Sequence, residues 1–331
     1  MFKRILSALK RKKNVVASGN STSVHDTDTT RDGEALITAY DESGREIKIA
    51  RSEWRDKVFI PEIRKKWNDA DGLHNVIIWG LNDGFAVDLR PAAERLLQID
   101  TIPERGYTTL GIVLLEAGEL DAAEKVLREA IAKVGETAIL LTNLAKVFND
   151  RGDHDLTEQT LWKAVQAEPN EEHGLRFWAS IQQERGGDSA YVQALHTAAD
   201  LPQSWRAKLW LARHYLEHRE IDAARKLYAE VIALAVLDAK ALTTISGDLG
   251  NNGQIALIPD LISPLYDEHK HDPHAGINLL HAYKELGKID DGTALLNRMY
   301  ALGFPPIKQQ LDQFSHAFQK MRDQPAHNHT A

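Results

Sequence analysis

An all-α fold of repeated antiparallel helix pairs is what this sequence predicts, and three observations carry the prediction. The first is self-similarity at an offset of 34 residues. "YTTLGIVLLEAGELDAAEKVLREAI" laid on "LTNLAKVFNDRGDHDLTEQTLWKAV" matches Leu110 with Leu144, Gly111 with Ala145, Gly118 with Gly152, Leu127 with Leu161 and Ala130 with Ala164. A period of this length with helical spacing inside it marks helix–turn–helix units that bury their apolar faces by stacking. The second is the order of small and large residues: the small ones let two helices of a pair approach, and the large ones fill the gap between them. The third is that strand-like patterning is confined to one short stretch near the start, Leu36 to Ala50. The full expectation is a right-handed superhelix of helix pairs, preceded by a short β-hairpin with short helices and by a flexible N-terminus.

Composition sets the outer limits. With 331 residues, 43% apolar and 27% charged, the chain has the make-up of a folded protein able to bury a sizeable core. It has no cysteine, which removes disulfides and thiolate metal sites. A formal charge of −8 argues against the whole molecule binding nucleic acid. No apolar run nears the roughly 20 residues that span a bilayer.

Residues 1–16 form a basic segment. Phe2, Ile5, Leu6 and Leu9 fall on one helical face, while Lys3, Arg4, Lys10, Arg11, Lys12 and Lys13 bring six positive charges and no acid. Such a helix can lie in an anionic membrane surface, so a cytoplasmic position, peripheral at the inner face of the membrane, is expected. Residues 17–34, rich in Ser, Thr, Asp and Gly, read as a flexible linker. Residues 35–71 form a hairpin segment. Two short runs in it, Leu36–Tyr40 and Glu46–Ala50, flank Asp41-Glu42-Ser43-Gly44 and predict a β-hairpin. Between Ser52 and Pro61 one short helix is expected to end and another to start.

The repeat region is expected over 72–320. In "NLAKVFNDRGDHDLTEQTLWKAVQAEP" the positions Leu144, Ala145, Phe148, Gly152, Leu161, Ala164 and Pro169 resemble the tetratricopeptide repeat (TPR) family, with Thr157 standing where that family prefers Ala. The resemblance extends through Trp178, Ala179, Gly186, Leu195 and Ala198, then Leu211, Ala212, Tyr215, Ala224 and Tyr228, then Leu279, Tyr283, Gly287 and Leu296. Two degenerate units keep Trp79-Gly80, Ala92 and Leu96, and Gly247; the latter has Pro259 and Pro264 in its second helix, which should be short or bent. "PIKQQLDQFSHAFQK" reads as a capping helix, and 321–331 as a disordered tail. The hairpin segment also resembles the corresponding part of bacterial proteins of this family.

The resemblance implies a concave groove lined by the first helix of each unit and used to bind peptides. The groove residues it implies are Asn143, Lys146, His173, Arg176, Arg206, Trp210, Arg213 and His281. Lys146, Arg176, Arg206 and Arg213 would suit carboxylates or phosphate. Against this stands a solvated face whose cations pair internally with Glu116, Asp150, Glu184 and Glu217. An Asn/Lys/Arg clamp for a terminal carboxylate, known in chaperone-binding relatives, is not expected, because Thr108 and Ile112 replace its Lys and Asn. "DEHKHDPH" collects His269, His271 and His274, but the spacing matches no zinc pattern, so no metal or cofactor is expected. Phosphate loops, nucleophile elbows and His-Glu-x-x-His are missing. Trp162 and Trp178 read as core and Trp210 as a groove residue.

The functional expectation is a non-enzymatic scaffold that binds an acidic or C-terminal peptide. The alternatives are an enzyme or sensor whose active part is 34–71, and an array that self-assembles through its convex face.

Overall fold

Leu36–Tyr40 (β1) and Glu46–Ala50 (β2) pair antiparallel, with Leu36 opposite Ala50 and Tyr40 opposite Glu46, in the hairpin that the sequence predicts. This computed structural model describes residues 36–40, 45–234 and 240–323. The expected basic segment (1–16), linker (17–34), hairpin turn (41–44) and last eight tail residues lie outside the described residues.

After β2 the chain is helical without the break expected near Pro61. A first turn, α1 (Arg51–Trp54), passes through a π-helical turn, Arg55–Phe59, into α2 (Ile60–Lys65). Pro61 has no N–H to donate and its ring crowds the carbonyl four residues back. A wider π-turn placed just before it relieves that crowding, so the helix continues.

Two compact units follow from the contacts, 1–160 and 161–331. In the first unit the helices are α3 (Ala70–Asn82), α4 (Ala86–Ile99), α5 (Pro103–Glu116), α6 (Leu120–Val134) and α7 (Ala138–Arg151), each packed on the next. Helix α8 (His154–Ala167) carries the boundary residue. The hairpin segment shares the core of these helices: Ile49, Trp54, Val58, Phe59 and Ile63 pack with Leu73, Ile77 and Leu89. Arg51 fixes it further, donating to the carbonyls of Asp83 (2.7 Å) and Gly84 (2.8 Å) while lying 4.4 Å over the Phe85 ring. Gly80 is where this segment comes closest, since a Cβ there would fall on the Phe59 ring.

The turn chemistry matches the sequence expectation. Gly118 and Gly152 take φ of 78° and 82°, left-handed values that only glycine adopts without strain. Thr157 is buried where an Ala is usual, and its hydroxyl donates to the Asp153 carbonyl at 2.9 Å. That bond satisfies the polar group a small apolar residue would not have brought in.

The second unit holds α9 (Glu172–Ala199), α10 (Arg206–Glu217), α11 (Ile221–Ala233), α12 (Ala241–Asn251), α13 (Leu257–Ile262), α14 (Pro273–Glu285), α15 (Ile289–Ala301) and α16 (Lys308–Asp323). The expected turn at Gly186 falls one residue later. Gly187 has φ 69° and ψ −160°, a kink inside α9 after which helix resumes at once, with no open loop. Six residues remain of the proline-bearing α13, as Pro259 and Pro264 require. Gly247 lies inside α12, and the positive-φ glycine that follows this helix is Gly253. The core of the second unit gathers Leu209, Ala212, Tyr228, Ile245, Leu280 and Leu296. Leu311, Phe314 and Phe318 of α16 close its end, the capping role expected of this segment. Trp162 and Trp178 pack ring on ring, centroids 4.8 Å apart; Trp178 is buried as expected, whereas Trp162 is half-buried. Among the described residues no helix is long and apolar enough to cross a membrane.

Candidate peptide-binding cleft

The second unit contains a cleft of about 660 Å³ between α9, α10 and α12. Its wall includes Arg176, Arg206, Trp210 and Arg213, four of the residues expected in a groove, together with Glu172, Asp188, Tyr191 and Glu217. The part of α9 before Gly187 runs beside α10 in the same sense. Glu172 meets Arg206 at their N-terminal ends, while Asp188 lies near His214 and His218 at the far end. From Arg206 to His218 the helix rises about 18 Å, long enough for five or so extended residues.

The N-terminal end of the cleft is built around Asn170. Its side-chain oxygen accepts from the backbone N–H of Trp205 (2.9 Å) and Arg206 (3.0 Å), and its amide donates to the Gln203 carbonyl (2.8 Å). Arg206 returns the contact, its Nε donating to the Asn170 carbonyl at 2.7 Å. The guanidinium stacks over Trp205 at 4.7 Å and reaches Glu172 at 3.2 Å. Glu172 also pairs with Arg176, so one carboxylate lies between two arginines. Nothing in the sequence pattern singles out Asn170. An Asn just after Pro169 at a helix start is the one local hint, because Asn side chains commonly bond nearby backbone N–H groups.

Arg213 differs from the other two. Its Nε donates to Asp248 at 2.9 Å, and Tyr228 donates its hydroxyl to the same carboxylate at 3.3 Å. Burial lifts the Asp248 carboxyl above the usual carboxylate range, with Arg213 and the Tyr228 hydrogen bond opposing that rise. Burial likewise raises the Tyr228 phenol, and the Asp248 charge adds to it. Along the cleft, burial raises the Tyr191 phenol as well; Arg213 and Arg176 pull it down while Glu217 and Asp188 push it up.

Among the described residues, Glu172 pairs with Arg176 and Arg206, and Asp248 with Arg213; neither acid is among those of the solvated-face expectation. The remaining expected groove residues lie elsewhere. Asn143 is buried on α7 in the first unit, donating to the Ile139 carbonyl at 2.9 Å and accepting from Lys146 at 3.4 Å. His173 lies at the start of α9, outside the cleft wall. His281 sets its ring against Phe314 of the capping helix, centroids 4.7 Å apart, and partial burial lowers its pKa with Lys284 adding to the effect. In "DEHKHDPH", Asp272 caps α14 by accepting from the His274 N–H at 2.9 Å, and His271 Nδ1 accepts from the Asp267 N–H at 3.0 Å.

Residues 108–172 and 186–239 match the family model for the tetratricopeptide repeat. These stretches belong to the tetratricopeptide repeat family. Among solved structures, yeast Tom70 is similar at 14% identity, over 80% of this chain and 58% of that one, with a TM-score of 0.41. The pilF protein of Pseudomonas aeruginosa is similar at 16% identity over 64% of this chain and 96% of that one, TM-score 0.33. YrrB, described as a TPR protein with an unusual peptide-binding site, is 16% identical over 56% of this chain and 96% of that one, TM-score 0.31. No curated protein matches the sequence.

Proposed function

We propose that this TPR chain is a non-enzymatic interaction scaffold whose second unit binds an extended acidic peptide in the cleft between α9 and α10. The observation that carries the reading is the convergence of Arg176 and Arg206 on Glu172 at one end of that cleft. A peptide carboxylate arriving there meets donors already held in place, Arg206 by Asn170 and Trp205. Preorganised donors lose little entropy on binding, which favours affinity. Trp210 supplies an amphipathic surface for an apolar side chain next to that charge. Arg213 acts as a wall residue, since its charge is committed to Asp248.

The test is fluorescence anisotropy of labelled peptides that share a length but carry acidic, neutral or basic side chains, each with a free or amidated C-terminus. The acidic peptide should bind best, and Arg176→Glu should weaken it about 10- to 100-fold, the worth of a charge-assisted hydrogen bond. Arg176 is exposed, so the helical circular dichroism should not change. Equal affinity for the three side-chain classes, or unchanged binding in Arg176→Glu, rules the cleft out as the binding site. A preference for the free C-terminus identifies the terminal carboxylate as the anchor, and indifference to amidation identifies the side chains.

A further inference from the structure

The far end of the same cleft has a different chemistry. His214 and His218 stand four residues apart at the end of α10, so their side chains share one helix face. Their rings lie 4.2 Å apart, tilted by 32°. The Gly187 kink in α9 brings Asp188 opposite them. Among the described residues this is the one group whose ligand atoms gather, all within 4.8 Å of one another. The carboxylate is invisible to a search for zinc spacings, because it comes from another helix and is aimed by a backbone kink. The His-x-x-x-His pair by itself was the signal available in the sequence.

We propose that Asp188, His214 and His218 bind a divalent transition-metal ion of the zinc class at the C-terminal end of the cleft. Ligands of a tetrahedral zinc site stand about 3.3 Å apart for bonds near 2.0–2.1 Å. The trio therefore closes by about 1.5 Å at most, a shift within the rotamer freedom of side chains at the surface. His218 has its tautomer set for the role. Its Nδ1 meets the His214 carbonyl at 2.8 Å, and a carbonyl can only accept, so the proton sits on Nδ1 and the Nε2 lone pair is left for a metal. Two imidazoles and one carboxylate suit zinc, nickel or copper better than the hard ions magnesium and calcium, which prefer oxygen ligands alone. Three protein ligands also leave coordination open towards the cleft, where Tyr191 and Glu217 form the neighbouring wall. The plain rival is a pair of helix-end imidazoles that interact only with the α10 C-terminus.

Isothermal titration with Zn²⁺, and with Co²⁺ read by its visible absorption, tests the proposal on the full chain without peptide. The chain carries His327 and His329 near its end, so the background is His327→Ala/His329→Ala. One saturable Zn²⁺ site is expected, with excess Mg²⁺ unable to displace the ion. His214→Ala and Asp188→Asn should each weaken it at least about tenfold, given that losing even an outer-shell partner costs 10–100-fold. His274→Ala, outside the trio, should leave it unchanged. No saturable site, or a site indifferent to His214→Ala and His218→Ala, overturns the proposal. Because the readout is metal heat and absorption with no peptide present, that failure would leave the acidic-peptide reading standing.

Discussion

The Arg213 guanidinium holds a carboxylate, Asp248, whose side chain is only 11% exposed. Replacing Arg213 by Glu would set two acids against each other with the Tyr228 hydroxyl as the remaining donor, and uncompensated buried charge of this sort costs about 3–5 kcal/mol. Urea denaturation should show that loss for Arg213→Glu, whereas the exposed Arg176→Glu should stay near wild type. Charge reversal at Arg213 is thus a stability experiment and says little about binding. In the first unit the tight pair is Asp100, its side chain 1% exposed, with Arg105 Nε at 2.6 Å and Nη2 at 2.9 Å. Arg105→Ala should cost about 2–3 kcal/mol in the same assay, the scale of hydrogen bonds to a charged group. Burial alone would raise the Asp100 carboxyl, but Arg105 and the Ile102 N–H outweigh it and hold the group below the usual range. Arg151 does the same for Glu124, against a smaller burial effect and with Arg128 assisting. Both native values are depressed, so the stability they contribute is complete above the unfolded carboxylate pKa near 4 and is lost as the pH falls through the native values. Asp100→Asn and Glu124→Gln should each flatten the acid limb of a stability–pH series; an unaltered acid limb would show that these pairs do not carry it. Three arginines of one face were legible in the sequence, but their partners were not, because Glu172 and Asp248 are set by helix packing and not by spacing along the chain.

At the scale of elements, local signals transferred well wherever a single residue decides the backbone. Gly118 and Gly152 end their helices in left-handed conformations, and the two prolines shorten α13, both as residue chemistry dictates. Two elements escaped. The π-turn at Arg55–Phe59 is a response to Pro61 that helix stop rules read as a break. The kink in α9 sits at Gly187 and not at Gly186, a choice between adjacent glycines that the repeat spacing gets wrong by one residue. That one residue matters, since it aims Asp188 at α10. The contact between hairpin segment and repeats can be tested at Gly80. An added Cβ meets the Phe59 ring, which is fully buried and cannot swing aside. Gly80→Ala should therefore destabilise the protein by about 1–3 kcal/mol in denaturant, although alanine is the better helix former by about 1 kcal/mol. A stabilised variant would mean that the hairpin segment is loosely held.

For the molecule as a whole, the repeat period made the helical array legible, while the grouping into 1–160 and 161–331 was not, because nothing in the period marks where one core ends. The hairpin segment packs on the helices that follow, sharing a core with α3 and α4, as expected of a two-stranded hairpin with too little apolar surface to stand alone. The basic residues of 1–13 lead to a proposal of their own. Six cations beside Phe2, Ile5, Leu6 and Leu9 should bring the full chain down with anionic vesicles and leave it in solution with neutral ones. A chain starting at Ala17 should stay in solution with both; equal sedimentation of the two chains would refute the membrane contact.

The central claim is that ligands enter the cleft of the second unit, and photo-crosslinking tests it most directly. An acidic peptide carrying a photoreactive phenylalanine would be irradiated with the full chain and the adducts located by mass spectrometry. Adducts are expected within residues 172–191 and 206–218, and they should be lost when unlabelled acidic peptide competes. Adducts confined to the hairpin segment, or spread evenly along the chain, would contradict the claim.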